Sequence, residues 1–181
     1  MDRFIRHLDE ASLEAIDALR ASNIQTLMSP DCDATAGSAV ITVGAVSIPL
    51  QSGRFFILEN DWADTPKEWI DYFMLTARTA SEPHTVTFVP ESGSGTAAYR
   101  ADHMMLRLGA SMGIERIDVF CAEEDGTNES VSYDAGIRVV RQDGTSFAIV
   151  REMSITGFLQ IAHTEQDVAE LTAGLHVRRT L

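Results

Sequence analysis

The run Gly93-Ser94-Gly95-Thr96-Ala97-Ala98 carries the one spacing in this sequence that suggests phosphate chemistry. Paired glycines let backbone N–H groups close around an anion, and a helix N-terminus behind them adds a favourable dipole. Gly93, Gly95 and Thr96 are therefore candidate ligand-binding residues. Glu123, at the end of the next apolar run, is the candidate acidic partner. The plainer reading of the same segment is a flexible Gly/Ser loop.

Glu91-Ser92-Gly93-Ser94-Gly95 resembles the first motif of S-adenosylmethionine methyltransferases, and the GxGxxA pattern is similar to the dinucleotide fingerprint. The resemblance covers residues 85–124. It implies an α/β unit there and a nucleotide or S-adenosylmethionine bound at the glycine turn.

Other chemistry-bearing residues form no diagnostic set. Glu123-Glu124-Asp125-Gly126-Thr127-Asn128-Glu129 gathers oxygen ligands, but without the alternation of a calcium loop it reads as a solvated acidic turn. Histidines stand at 7, 84, 103, 163 and 176. His103 with Glu152 or His163 would make an acid–base or metal site only if the fold joined them. Ser92, Ser94 and Ser111 lack a GxSxG elbow. Cys121 lies in an apolar run, and Cys32 sits between two aspartates. No catalytic residue, metal ligand or cofactor is assigned.

Trp62, Trp69 and Tyr72 flank an acidic stretch at residues 59–68. Aromatic rings beside carboxylates suit the rim of a site for a basic peptide or protein. Buried, the same rings are core.

Charge narrows the partners. The 181 residues hold 27 acidic and 14 basic side chains, a net charge of −13. Residues 61–130 carry 13 acidic against 5 basic residues, and residues 131–181 carry 6 against 5. Such a field repels phosphate backbones, so nucleic acid is not an expected partner. No apolar run is long enough for a membrane-spanning helix. The start of the chain lacks the apolar segment of a secretory signal, and two distant cysteines suit a reducing cytoplasm.

Periodicity supplies the frame for these residues. Phe4, Ile5, Leu8, Leu13, Ile16 and Leu19 recur at helical intervals, predicting a helix from about Arg3 to Ser22, with Ser12 as an internal cap. Residues 29–38 read as a loop dividing this helical segment (1–28) from a body (39–181). Val40–Val43, Val46–Leu50 and Phe55–Leu58 predict a meander in which Pro49 ends its strand. Thr65-Pro66-Lys67-Glu68 has the form of a helix-capping box. The strand formers of Trp69–Phe73 favour a strand instead, paired with Thr85–Val89. Ala98, Ala101, Met105, Leu108 and Met112 share one stripe, predicting a helix from Ala97 to Leu108 that Gly109 or Gly113 can end. Ile117–Cys121, Gly136–Arg141 and Ser146–Arg151 read as strands, the last two joined at Gln142-Asp143-Gly144-Thr145. Ile155–Ala162 adds a strand, and Thr164 opens a short helix closed by Gly174.

The expected architecture is α+β: an N-terminal helix packed on a mostly antiparallel sheet, with one or two further helices. The alternative is an α/β arrangement centred on residues 85–124. The expected function is a non-catalytic, acidic, cytoplasmic binding or interaction domain, with a protein partner or a homo-oligomer in view. The alternatives are a small nucleotide- or S-adenosylmethionine-binding enzyme using the Gly93–Gly95 loop, and an acidic decoy that blocks a basic protein.

Overall fold

A computed structural model describes residues 1–88, 97–99 and 104–181. The chain opens with β1 (Asp2–Arg6), α1 (Glu10–Arg20) and β2 (Asn23–Ser29). The short strands β3 (Asp33–Ala34), β4 (Ile41–Val43) and β5 (Ala45–Pro49) follow. β6 (Phe55–Asp64) and β7 (Asp71–Ala80) form a long hairpin, and β8 (Val86–Phe88) pairs β9 (Ala97–Tyr99). Next come β10 (Met104–Asp125), β11 (Glu129–Arg141), β12 (Ser146–Arg151), β13 (Leu159–Ala162), α2 (Glu165–Leu171) and β14 (His176–Thr180).

Among the described residues, twelve strands join one sheet in the order β3-β4-β13-β12-β11-β10-β2-β5-β6-β7, with β1 on β11 and β14 on β10. Every pairing in it is antiparallel except β1 with β11. Only Gly44 separates β4 from β5, yet six steps of the sheet lie between them. In a flat sheet they would stand about 29 Å apart, a gap that one linking residue cannot span. The sheet therefore rolls back on itself, and its concave side encloses the main core. Ile24, Leu27, Val46, Ile48, Phe56, Leu58, Ile117, Ile137, Val139, Phe147, Ile149 and Ile161 meet there with Ile16 and Leu19 of α1.

β11 shows the pattern that builds this core. Val131, Tyr133, Ala135, Ile137 and Val139 point into apolar clusters. The alternate residues Ser132, Asp134 and Arg138 make polar bonds on the other face. The second cluster, around Tyr72, Phe73 and Tyr133, lies beside the end of the long hairpin. α2 buries Val168 against Ala148, Val150 and Ala162 in a third.

These elements correct the α+β expectation. Strand makes up 57% of the described residues and helix 11%, so they form a mostly antiparallel β structure with two covering helices. The N-terminal helix is half the expected length. Asp9 caps it by accepting the Ser12 N–H at 2.8 Å, and Phe4 and Ile5 belong to β1 instead. The helix expected from Ala97 is also replaced: Ala97–Tyr99 and Met104–Leu108 are strand. The α/β alternative centred on residues 85–124 fails with it, because the described strands of that segment pair antiparallel.

Smaller corrections follow the same logic. β4 pairs β13 and β3, not β5, so the expected meander is split between distant parts of the sheet. β7 forms as a strand, but its hairpin partner is β6. The β11–β12 hairpin turns at Gly144, and β5 ends at Pro49. Thr164 caps α2, and Gly174 lies just beyond it at φ 81°.

Candidate functional site

Gly93, Gly95 and Thr96 lie outside the described residues, as do Ser92, Ser94 and His103. The strand–helix–strand frame that the methyltransferase resemblance implies is not formed by the described residues around them, since β9 and β10 are strands. Glu123 is exposed near the end of β10 and pairs with Arg3 at 3.1 Å. Cys121 is buried. Burial first, then the carboxylates of Asp134 and Glu123, pushes its thiol pKa up. Among the described residues, no group of three His, Cys, Asp or Glu side chains is placed to hold a metal ion. None of their helices is long and apolar enough to cross a membrane.

The three aromatic candidates separate. Tyr72 is buried in the second cluster, with the Arg6 guanidinium 5.5 Å from its ring centre. Trp62 is half-buried, and its indole N–H donates to Asp71 Oδ1 at 3.0 Å. Trp69 is 72% exposed at a φ of 55°, in the left-handed region.

The turn that presents Trp69 is held by two carboxylates acting reciprocally. Glu68 accepts the backbone N–H groups of Asn128 and Glu129. Glu129, fully buried, accepts those of Lys67 and Glu68 at 3.1 and 2.9 Å. This explains why Thr65-Pro66-Lys67-Glu68 starts no helix. Glu68 bonds to the β10–β11 turn instead of reaching back to its own segment. Those contacts, led by the Asn128 N–H, hold its carboxyl below the usual range.

A cavity of about 340 Å³ opens where β10, β12 and β13 approach the α2–β14 connection. Val150, Leu171 and Leu175 give it apolar walls, and Glu123, Glu124, Arg151, Gln160 and His176 bring polar groups. Arg151 is the unusual member. It is only 9% exposed, and its guanidinium carbon lies 5.3 Å from the ring centres of both Phe73 and Tyr133. Its Nε donates to the Tyr133 hydroxyl at 2.8 Å, and that hydroxyl lies 3.5 Å from Glu124 Oε1. Burial pushes the phenol's pKa up, against the pull of Arg151, so the hydroxyl keeps its proton for Glu124.

Other arginines at the sheet find acceptors within the protein. Arg138 bonds Asp118, Arg178 bonds Asp134, and Arg141 bonds the carbonyls of Leu108 and Ala110. Among the described residues, no carboxylate lies within ion-pair distance of Arg151. Its one side-chain hydrogen bond to a described residue is that of Nε to Tyr133, and the residue lines the cavity. A guanidinium has the forked geometry to bond a planar anion such as a carboxylate.

Sequence reasoning missed Arg151 and Tyr133; of its candidates, Glu123 lines this cavity. A lone arginine in a strand pattern carries no motif. The one available signal was an arginine ending an otherwise apolar strand, Phe147-Ala148-Ile149-Val150-Arg151.

No protein-family model matches the chain, and the searches of curated proteins and of solved structures return no significant match. The described residues form a rolled, mostly antiparallel β sheet with two covering helices and a cavity whose Arg151 has no ion-pair partner among them.

Proposed function

We propose that this chain is a non-catalytic binding domain whose cavity takes a small ligand through an anionic group seated on Arg151. One observation carries the reading: a guanidinium nine-tenths buried, lying over two neighbouring rings, with no carboxylate partner among the described residues. Burying a charge without an ion-pair partner is costly. An incoming anion removes that penalty, so Arg151 favours binding more than an exposed arginine would. The free thiols Cys32 and Cys121 suit a cytoplasmic setting.

The test is calorimetry and thermal shift with inorganic phosphate, isocaproate and L-leucine, on the native chain and on Arg151→Gln and Arg151→Lys. A ligand at about a hundred times its Kd stabilises the fold by about 2.7 kcal/mol. Saturable binding that Arg151→Gln abolishes, and that Arg151→Lys weakens by losing the fork, supports the reading. Binding indifferent to Arg151, or none of the three probes binding, overturns it.

A second reading rests on Trp69. An exposed indole on a clamped turn, with Asp64, Glu68 and Asp71 nearby in sequence, suits docking of an arginine-rich protein partner. Titration with an arginine-rich peptide at low salt should change the tryptophan emission, and Trp69→Ala should remove the change. An unaltered spectrum at low salt sets this reading aside.

A further inference from the structure

We infer that the ligand is a zwitterion of the amino-acid type, with its carboxylate on Arg151 and its ammonium facing Glu124. The inference rests on the reading of Arg151 as the anion receptor.

Of the charged side chains lining the cavity, Glu123 is taken up by Arg3 at 3.1 Å, while Arg151 and Glu124 do not neutralise each other. Arg151 and Glu124 form no ion pair, because the Tyr133 hydroxyl stands between them, 2.8 Å from the Arg151 Nε and 3.5 Å from Glu124 Oε1. Had the two met directly, the site would be self-satisfied. Held apart, each keeps capacity for a charge of its own choosing. A bare anion on Arg151 is attracted by the guanidinium and repelled by Glu124 in a partly desolvated space where both effects are strong. A bare cation meets the reverse. A molecule with closely spaced charges of both signs satisfies both.

Size and lining agree. A cavity of about 340 Å³ sits at the lower end of the range for small-molecule sites. Its charged residues are accompanied by Val150, Leu171 and Leu175, which suit an apolar side chain between the two charged contacts. Binding on these terms forms and breaks no covalent bond.

The experiment compares L-leucine with isocaproate, which lacks the ammonium, and with isoamylamine, which lacks the carboxylate. Each is titrated calorimetrically against the native chain, Glu124→Gln, Arg151→Gln and Tyr133→Phe, with circular dichroism confirming that each variant is folded. L-leucine should bind the native chain at least about tenfold more tightly than either analogue, as one charge-assisted contact requires. Glu124→Gln should shrink its advantage over isocaproate to about threefold or less, and Arg151→Gln should shrink its advantage over isoamylamine. Equal or tighter binding of isocaproate to the native chain, lost in Arg151→Gln, would overturn the zwitterion and leave the anion receptor standing. L-leucine and isoamylamine binding alike, untouched by Arg151→Gln, would overturn both. So would no binding by any probe to the native chain.

Discussion

Arg178 grips the carboxylate of Asp134 through two hydrogen bonds of 2.6 Å, Nε to Oδ1 and Nη2 to Oδ2. Asp134 is fully buried, and its Oδ2 also accepts the Leu8 N–H at 2.7 Å. One carboxylate in β11 thus ties β14 to the link between β1 and α1. Removing one partner of a buried pair leaves an uncompensated charge and costs about 3–5 kcal/mol. Arg178→Ala should therefore lower stability by roughly that amount in urea denaturation, while removal of the surface pair Arg3–Glu123 should change it by less than about 1 kcal/mol. Equal small effects would show that Asp134 gains its solvation elsewhere.

Acid sensitivity should centre partly on Glu59. The ring of His84 lies 3.0 Å from its Oε1, and Arg78 donates to Oε2 at 2.9 Å. The His84 bond, opposed by burial and reinforced by Arg78, lowers its pKa from 4.5 to about 2. A carboxylate with a depressed folded-state pKa stabilises the fold above its unfolded value and loses that contribution as pH falls towards the folded one. Native stability should drop between pH 4.5 and about 2. Glu59→Gln should be less stable at neutral pH and flatter across that window. Parallel urea midpoints against pH for the two proteins would contradict the assignment.

Gly136 stands opposite Val150 in the pairing of β11 with β12. A Cβ there would lie 2.5 Å from the Ile149 carbonyl oxygen and 2.7 Å from the Val150 Cα. Both obstacles are backbone, so neither swings away. Gly136→Ala should cost about 2 kcal/mol or more, as overpacking does, with a lower denaturation midpoint at unchanged slope. Because Val150 precedes Arg151, the same variant should also weaken ligand binding at the cavity.

Trp69 should be a site where replacement stabilises. Its left-handed φ of 55° costs a bulky residue about 1 kcal/mol or more, and the exposed ring returns little packing energy. Asparagine tolerates this conformation. Trp69→Asn should raise stability by about 1 kcal/mol in thermal denaturation. A loss of that size would instead show that the indole supports its own turn.

Hairpins were legible in the sequence where turn chemistry is local. Gly144 between two β-branched runs is such a case, and Thr164 before an acidic first turn is its helical counterpart. Met104 to Leu108 shows why the rest was harder. Met105, Leu108 and Met112 fit a helical stripe, but Met104, Leu106 and Leu108 also alternate with exposed Met105 and Arg107, and the strand uses that second pattern. Gly109, which reads as a helix end, interrupts β10 at φ 97°, with the flanking Leu108 and Ala110 carbonyls held by Arg141. Pairing with β2, some eighty residues earlier, decided between the two periods, and no local window contains that information. The cavity was invisible for the same reason, since Glu124, Tyr133, Arg151 and Leu175 meet only through the sheet.

The parallel pairing of β1 with β11 has a kinetic consequence. The Leu8 amide that bonds Asp134 belongs to a residue 126 positions away. Closing so wide a loop must precede any return from the contacts that seal it. The β10–β11 ribbon and α1 can organise locally, while docking of β1 waits for a long diffusional search. Refolding should therefore be slow for a chain of this size, with amide protection in residues 2–6 among the last to appear.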